Sequence, residues 1–183
     1  MMLFATLALL LSASTTETPP APPAQSLQAS AKKPANPVEA RAGNLHIIQL
    51  WSSDQQRFLK EWKQPTPPHL TTDSSIERNK PIFQFIIIGG CQANEAGNCD
   101  LSGETRMTGP DGKPYGEPLN FAVWDNLPAP PPNILSLAPA GIGLTVEDGE
   151  KLGPYKIKLS VTDNVAKVTA TTEVTITAEE AAD

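Results

Sequence analysis

The sequence predicts an all-β protein: an antiparallel β-sandwich with one short N-terminal helix. Three observations carry that prediction. The last third of the chain alternates with a period of two. Tyr155, Ile157, Leu159 and Val161 stand against Lys156, Lys158, Ser160 and Thr162, and Val168, Ala170, Val174 and Ile176 stand against Thr169, Thr171, Thr175 and Thr177. Successive side chains of a strand point to opposite faces, so both runs read as half-buried strands. Ile82–Ile88 (IFQFIII) is β-branched and aromatic apart from Gln84, the pattern of a central strand buried on both faces. From Pro81 onward Gly and Pro turn signals recur with no helical period between them. About seven short strands over about 100 residues are best packed as two sheets.

Taken from the N-terminus, the 183-residue chain opens with MMLFATLALLLSAS, apolar from Met1 to Leu11 and then small at Ser12, Ala13 and Ser14. A short apolar run before small residues predicts a signal peptide over 1–14, too short to span a bilayer, which takes about 20 residues. The first cysteine is Cys91, so no lipid-anchoring cysteine follows it. Six of the 19 prolines fall between Thr15 and Gly43. That stretch holds almost no large apolar side chain to offset the entropy of ordering, and 15–45 reads as an extended, disordered linker.

Residues 46–79 read as a short helix and a connecting loop. In WSSDQQRFLKEWKQP, Ser52 or Ser53 can cap a helix, each with a Gln three residues on. Asp54 sits in the first turn and Lys60 and Lys63 in the last, as the helix dipole favours. Phe58, Leu59 and Trp62 share a face, and Pro65 stops the helix. A helix this short does not stand alone. Its aromatic face is expected to dock on the domain that follows, with a partner-binding helix as the alternative.

The sandwich is expected over 80–178, with 179–183 as an acidic tail. After Ile82–Ile88, Leu101–Thr108 is a weaker, mostly polar strand candidate. Pro110, Asp111 and Gly112 mark a turn, and Leu119–Trp124 alternates Leu119, Phe121 and Val123 against Asn120, Ala122 and Trp124. Pro128–Pro132 (PAPPP) lacks ladder donors and must connect elements. Gly141–Leu144 (GIGL) opens no helix and is a turn, and Asp163–Lys167 is a hairpin turn.

Cys91 and Cys99 lie at opposite ends of a polar loop between two strand candidates. Opposed hairpin ends approach within disulfide range, and an oxidising compartment would bridge them. A bridge closing about nine residues contributes roughly 2.5 kcal/mol on the chain-entropy model. A redox-active pair favours two-residue spacing, and zinc would need two further ligands, so a structural disulfide is the expectation.

Gly153, Tyr155, Val161 and Asp163 follow a Gly-x-Tyr-x-apolar pattern and a Val-x-Asp turn into a Thr-rich last strand. This segment resembles the closing strand pair of immunoglobulin-like and macroglobulin-like extracytoplasmic domains. Tyr155, seven residues after Asp148, is similar in placement to the tyrosine corner of such sandwiches. With Gly90, Cys91, Asn98, Cys99, Asp100 and Pro110–Gly112, residues 80–178 resemble uncharacterised exported proteins of Gram-negative bacteria. The resemblance implies an immunoglobulin-like fold and a periplasmic or secreted location, and no activity.

Charge divides along the chain. Residues 1–80 carry 8 basic and 6 acidic side chains, residues 81–183 carry 6 basic and 14 acidic, and the whole is −6. An acidic domain repels phosphate backbones, so no nucleic acid is expected as a partner, nor any membrane span once the leader is removed. The two histidines, His46 and His69, both precede the expected sandwich. Ser74, His69 and Asp73 spell a triad only as a loop coincidence, and no phosphate loop is present. No cofactor and no metal site is expected. Asn94, Glu95, Asn98 and Asp100, and Glu147, Asp148 and Glu150, have the hard oxygens that suit calcium but not the spacing of a calcium loop. The expectation is therefore a non-enzymatic module of the cell envelope that binds an envelope protein, with Trp124, Pro130, Pro131 and Pro132 as the candidate contact. The alternative is an inhibitor or chaperone-like accessory of such a protein.

Overall fold

In the computed structural model, which describes residues 37–64 and 69–181, two five-stranded sheets face each other. All described residues belong to one unit, Lys32–Asp183. The expected signal peptide, residues 15–36 of the expected linker, and Pro65 lie outside the described residues. The strands are β1 (Val38–Ala42), β2 (Leu45–Ser52), β3 (Ser75–Glu77), β4 (Pro81–Gly89), β5 (Asn98–Thr108), β6 (Leu119–Pro128), β7 (Ser136–Leu137), β8 (Gly143–Thr145), β9 (Gly153–Asp163) and β10 (Val168–Glu179), with helix α1 (Gln55–Trp62) after β2. The first sheet runs β1-β2-β4-β7, with β8 also on β4, and the second runs β3-β10-β9-β5-β6.

The alternation of the last third is realised as read: β9 and β10 pair antiparallel from Gly153↔Ala178 to Asp163↔Val168, with apolar side chains and Thr172 inward and Lys, Ser and Thr outward. β5 lies between β9 and β6, a more central place than its polar sequence predicts. Its inward positions include Leu101 and Thr105, but at Gly103 between them a Cβ would meet Val123 Cγ2 at 2.7 Å and Phe121 at 3.0 Å. At Gly103 the inner face is thus filled by side chains of β6 rather than of β5. One pairing departs from the antiparallel expectation: β3 runs parallel to β10.

The sandwich begins earlier than expected. Residues 38–45, read as linker, and 46–52, read as the approach to a helix, form β1 and β2, which close through the two-residue turn Gly43–Asn44 with Gly43 at φ 56°. Glycine at the first position of such a turn takes a φ that other residues avoid. β2 is the central partner of both β1 and β4, so His46 belongs to a strand of the sandwich rather than preceding it. LHIIQLWS hides its strand character because all but Ile48 are buried, which erases the alternation. The expected acidic tail also starts too early, since β10 runs through Glu179.

The helix lies over Gln55–Trp62, but its N-cap is Asp54, whose Oδ1 accepts from Arg57 N at 2.9 Å. Ser52 is spent as the last residue of β2, and Ser53 donates through N and Oγ to Asp73 Oδ2, both at 2.7 Å. The aromatic face docks on the sandwich: Phe58 is fully buried and stacks on Phe85 with ring centroids 3.7 Å apart. Leu50, Phe85 and Ile87 form the outer face of the first sheet beneath it, with Leu59 and Trp62 alongside. This explains the apolar run of β4 around Gln84: Ile82, Ile86 and Ile88 face the second sheet while Phe85 and Ile87 face the helix.

Between the sheets the core is apolar at both ends and polar in the middle. Leu45, Ile47, Ile86, Ile88, Leu101 and Val161 pack at one end, and Trp51, Ile82, Tyr155, Ile157, Val174 and Ile176 at the other. In the middle Thr172 Oγ1 of β10 donates to Gln49 Oε1 of β2 at 2.8 Å. Thr105 and Thr172 share one row of the second sheet through Leu159, and Gln84 of β4 is buried as well. Gln49 Nε2, both amide atoms of Gln84 and Thr105 Oγ1 have no protein partner among the described residues.

Candidate functional site

Strand direction gathers three loops at one end of the sandwich: 90–97 after β4, 129–135 after β6, and 164–167 between β9 and β10. They are fastened to one another. Cys91 and Cys99 form the expected disulfide, with Cα atoms 6.1 Å apart. It is not a hairpin bridge, because β4 belongs to the first sheet and β5 to the second; the bond ties the corner where the chain crosses between them. Asp163, buried at 1 % exposure, accepts from Gln92 N at 2.7 Å through Oδ2 and from Val165 N and Ala166 N at 2.9 Å through Oδ1. Asn94 Nδ2 donates to Asn126 Oδ1 at 3.1 Å, and Ala129 N donates to Gly97 O at 3.0 Å. A loop held at this many points presents its side chains in fixed positions.

On this frame the chain exposes Leu127, Ile134 and Leu135, whereas Leu119 begins β6 at the far end. Leu119 (45 %), Leu127 (38 %), Ile134 (52 %) and Leu135 (39 %) are the exposed large hydrophobics among the described residues, and all fall on β6 or the loop that follows it. β6 is also one edge of the second sheet, opposite the three-residue β3. Pro131 O accepts from Ile134 N at 3.0 Å, and Asn133 sits at φ 63°, so the proline run ends in a turn that carries Ile134 outward.

The residues expected to make contact are placed differently from one another. Pro131 and Pro132 are exposed and Pro130 half-buried. Trp124 is half-buried against the core, and its Nε1 donates to Leu127 O at 3.2 Å and Pro128 O at 3.1 Å, so it pins the start of the loop. Leu119, Leu127, Ile134 and Leu135 were not singled out from sequence. The available signal was Asn-Ile-Leu directly after a proline run, where a loop ordinarily carries polar residues.

The acidic clusters hold no metal-binding group of His, Cys, Asp and Glu among the described residues. Around Glu147, Asp148 and Glu150 the cation position is filled by the protein itself. Arg78 Nη1 donates to Glu147 O at 2.7 Å and Glu150 O at 3.2 Å, and the guanidinium pairs with Glu180 at 3.1 Å. Asp148 Oδ1 accepts from Asn79 Nδ2 at 3.0 Å, and Glu150 accepts from Tyr115 OH at 2.7 Å and from Glu147 N at 2.6 Å. Burial, then the Glu150 carboxylate, pushes the Tyr115 phenol well above its usual range, and burial raises Tyr155 as well. In the other cluster Asn94 Oδ1 turns inward to Ala96 N and Asn98 N, both at 3.0 Å. Gly141–Leu144 is a turn only in part: Gly143–Thr145 pairs with β4 as β8, and a Cβ on Gly141 would overlap Gln84 O. Of the coincidental triad, Asp73 clamps Ser53 at the corner between β2 and α1, and Ser74 O accepts from Thr177 N at 2.9 Å.

No family model matches the chain, and no curated protein matches it. Among solved structures it is similar to a family 123 glycoside hydrolase from Clostridium perfringens, at 11 % identity and a TM-score of 0.42 over 74 % of this chain. The chain spans 28 % of that hydrolase. It is also similar to a Niemann-Pick type C2 protein from the Japanese carpenter ant, at 8 % identity and a TM-score of 0.39 over 80 % of this chain and 97 % of that one. Neither likeness assigns an activity. The first does correct the expectation of a non-enzymatic protein: the chain's similarities include an enzyme, so the exclusion is withdrawn.

Proposed function

We propose that this chain is an exported, immunoglobulin-like module of the cell envelope that works by protein–protein contact, through the β6 edge and the 129–135 loop. The observation that carries this is the confinement of Leu119, Leu127, Ile134 and Leu135 to one strand and its following loop. Clustered apolar exposure rimmed by polar residues is costly unless something covers it. An unpaired strand edge beside it offers backbone hydrogen bonds to a partner. The immunoglobulin-like reading is supported by Tyr155, whose OH donates to Lys151 O at 2.7 Å, the backward bond a tyrosine corner makes. The extracytoplasmic reading is supported by the disulfide. No helix among the described residues is long and apolar enough to cross a membrane.

The test compares full-length wild type, Leu127→Ser/Ile134→Ser and Lys156→Ser/Thr175→Ser as bait in envelope extract. The proposal expects a specific partner that the first variant loses and the second, on the outer face of β9 and β10, retains. A partner retained equally by both variants would reject this face.

A further inference from the structure

Beyond the reach of α1, the outer face of the first sheet carries a pocket of about 320 Å³ at the Cys91 end, walled by Arg41, Asn44, His46, Asn133, Ile134 and Leu135. The sequence builds the hollow from two glycines. Gly89 is the register partner of His46 on β4, so no side chain fills the sheet there, and a Cβ would strike Leu135 Cδ2 at 2.9 Å. Gly90 follows at φ 67°, where a Cβ would collide with Asn44 O. Arg41 and His46 are register partners across β1 and β2, which stands their side chains side by side on this face. A pocket of this size is at the small end for ligand sites and suits a compact molecule.

The polar lining has one sign. Arg41 is its charged residue and no carboxylate lines it, although the chain from 81 onward is strongly acidic. Three of the four arginines are paired, Arg57 with Glu61, Arg78 with Glu180 and Arg106 with Glu104. The Arg41 side chain has no hydrogen bond or ion pair among the described residues, even though Glu39 stands two residues away on the same strand face. Glu39 Oε2 instead takes His46 Nε2 at 2.8 Å, and His46 is only 8 % exposed. The guanidinium is thereby left free beside two side-chain amides and two exposed branched apolar side chains.

We propose that this pocket binds a carboxylate carrying a compact branched apolar group, with the carboxylate on Arg41 and the apolar group against Ile134 and Leu135. A guanidinium meets a carboxylate with two parallel N–H···O bonds, a geometry a lysine does not reproduce. Such a ligand is either a small free acid or the C-terminal residue of a polypeptide. The pocket shares Ile134 and Leu135 with the partner face proposed above, while Arg41, which lies outside that face, is its own.

Calorimetric titration of the full chain tests this with isocaproate, isoamylamine, acetyl-Ala-Ala-Leu with a free C-terminus, and the same peptide amidated. The expected result is saturable binding of one or both acids and none of the amine or the amide. Arg41→Gln, an exposed edge-strand change checked for an unaltered melting temperature, should weaken binding about tenfold or more. Tighter binding of the peptide acid identifies a chain terminus as the source, and binding of isocaproate alone identifies a free acid. Binding of neither acid, equal binding of the amine, or an Arg41→Gln affinity equal to wild type would overturn the proposal. Arg41→Gln changes the pocket and leaves the partner face intact, and Leu127→Ser changes the partner face without touching the pocket lining, so the two readings fail separately.

Discussion

Replacing Phe58 by alanine measures how firmly α1 is held. The ring is fully buried and stacked on Phe85 at 3.7 Å with planes 14° apart. It is the one buried residue of an eight-residue helix, and helices this short do not persist on propensity. Large-to-small changes of a buried phenylalanine cost about 3–5 kcal/mol through lost transfer energy and the cavity left behind. A domain of this size has a total stability of about 5–15 kcal/mol, so Phe58→Ala should remove a large fraction of it. Equilibrium urea unfolding of the full chain, followed by tryptophan fluorescence, reads the change as a fall in midpoint. Lys60→Ala, on the exposed side of the same helix, should stay within about 0.5 kcal/mol of wild type. A Phe58→Ala loss below about 1 kcal/mol would refute the view that α1 belongs to the fold.

The other predictions concern the disulfide, the polar belt and the tyrosines. Cys91→Ser/Cys99→Ser should cost about 2–3 kcal/mol in urea unfolding and speed amide exchange at Ala129, whose N–H is bonded to Gly97 O in the closed loop. Unchanged exchange there would show that the bridge does not brace the 129–135 loop. Gln84→Met keeps side-chain volume while removing two buried, unpartnered amide atoms, and should raise stability by about 1–2 kcal/mol; a loss would show that the amide is satisfied. Tyr115 and Tyr155, the two tyrosines of the chain, both hold their protons more tightly when folded. The unfolded phenols ionise first, so stability is complete below the ordinary tyrosine range near pH 10 and falls as pH rises through it. Phenolate absorbance should appear only with alkaline unfolding, and a folded-state titration near pH 10 would contradict the burial argument.

Legibility varied with how many faces of an element are buried. β9 and β10 were readable because one face meets water and the alternation survives. β4 was readable for the opposite reason, as a run too uniformly apolar to be anything but central. β2 is equally buried, but Gln49, His46 and the preceding prolines disguise it. Gln49 belongs there because Thr172 comes from 123 residues away to meet it, which no local pattern reports. β3 pairs parallel with β10 over three residues, too few to leave a period. The cysteines were readable as a pair but not as a corner clasp, because sequence separation does not say which sheet each strand joins. At the candidate site the proline run pointed to the right loop, while Trp124 drew attention that belongs to Ile134 and Leu135. An aromatic side chain looks like a contact until its N–H is seen to be committed to Leu127 O and Pro128 O.

The most direct test of the partner face is site-specific photo-crosslinking in intact cells, with a benzophenone amino acid placed in turn at Leu127, Ile134, Lys156 and Thr175. The account predicts a discrete crosslinked species from Leu127 and Ile134 and none from Lys156 and Thr175, which lie on the outer face of the second sheet. Crosslinks from Lys156 and Thr175 with none from Leu127 and Ile134 would contradict it.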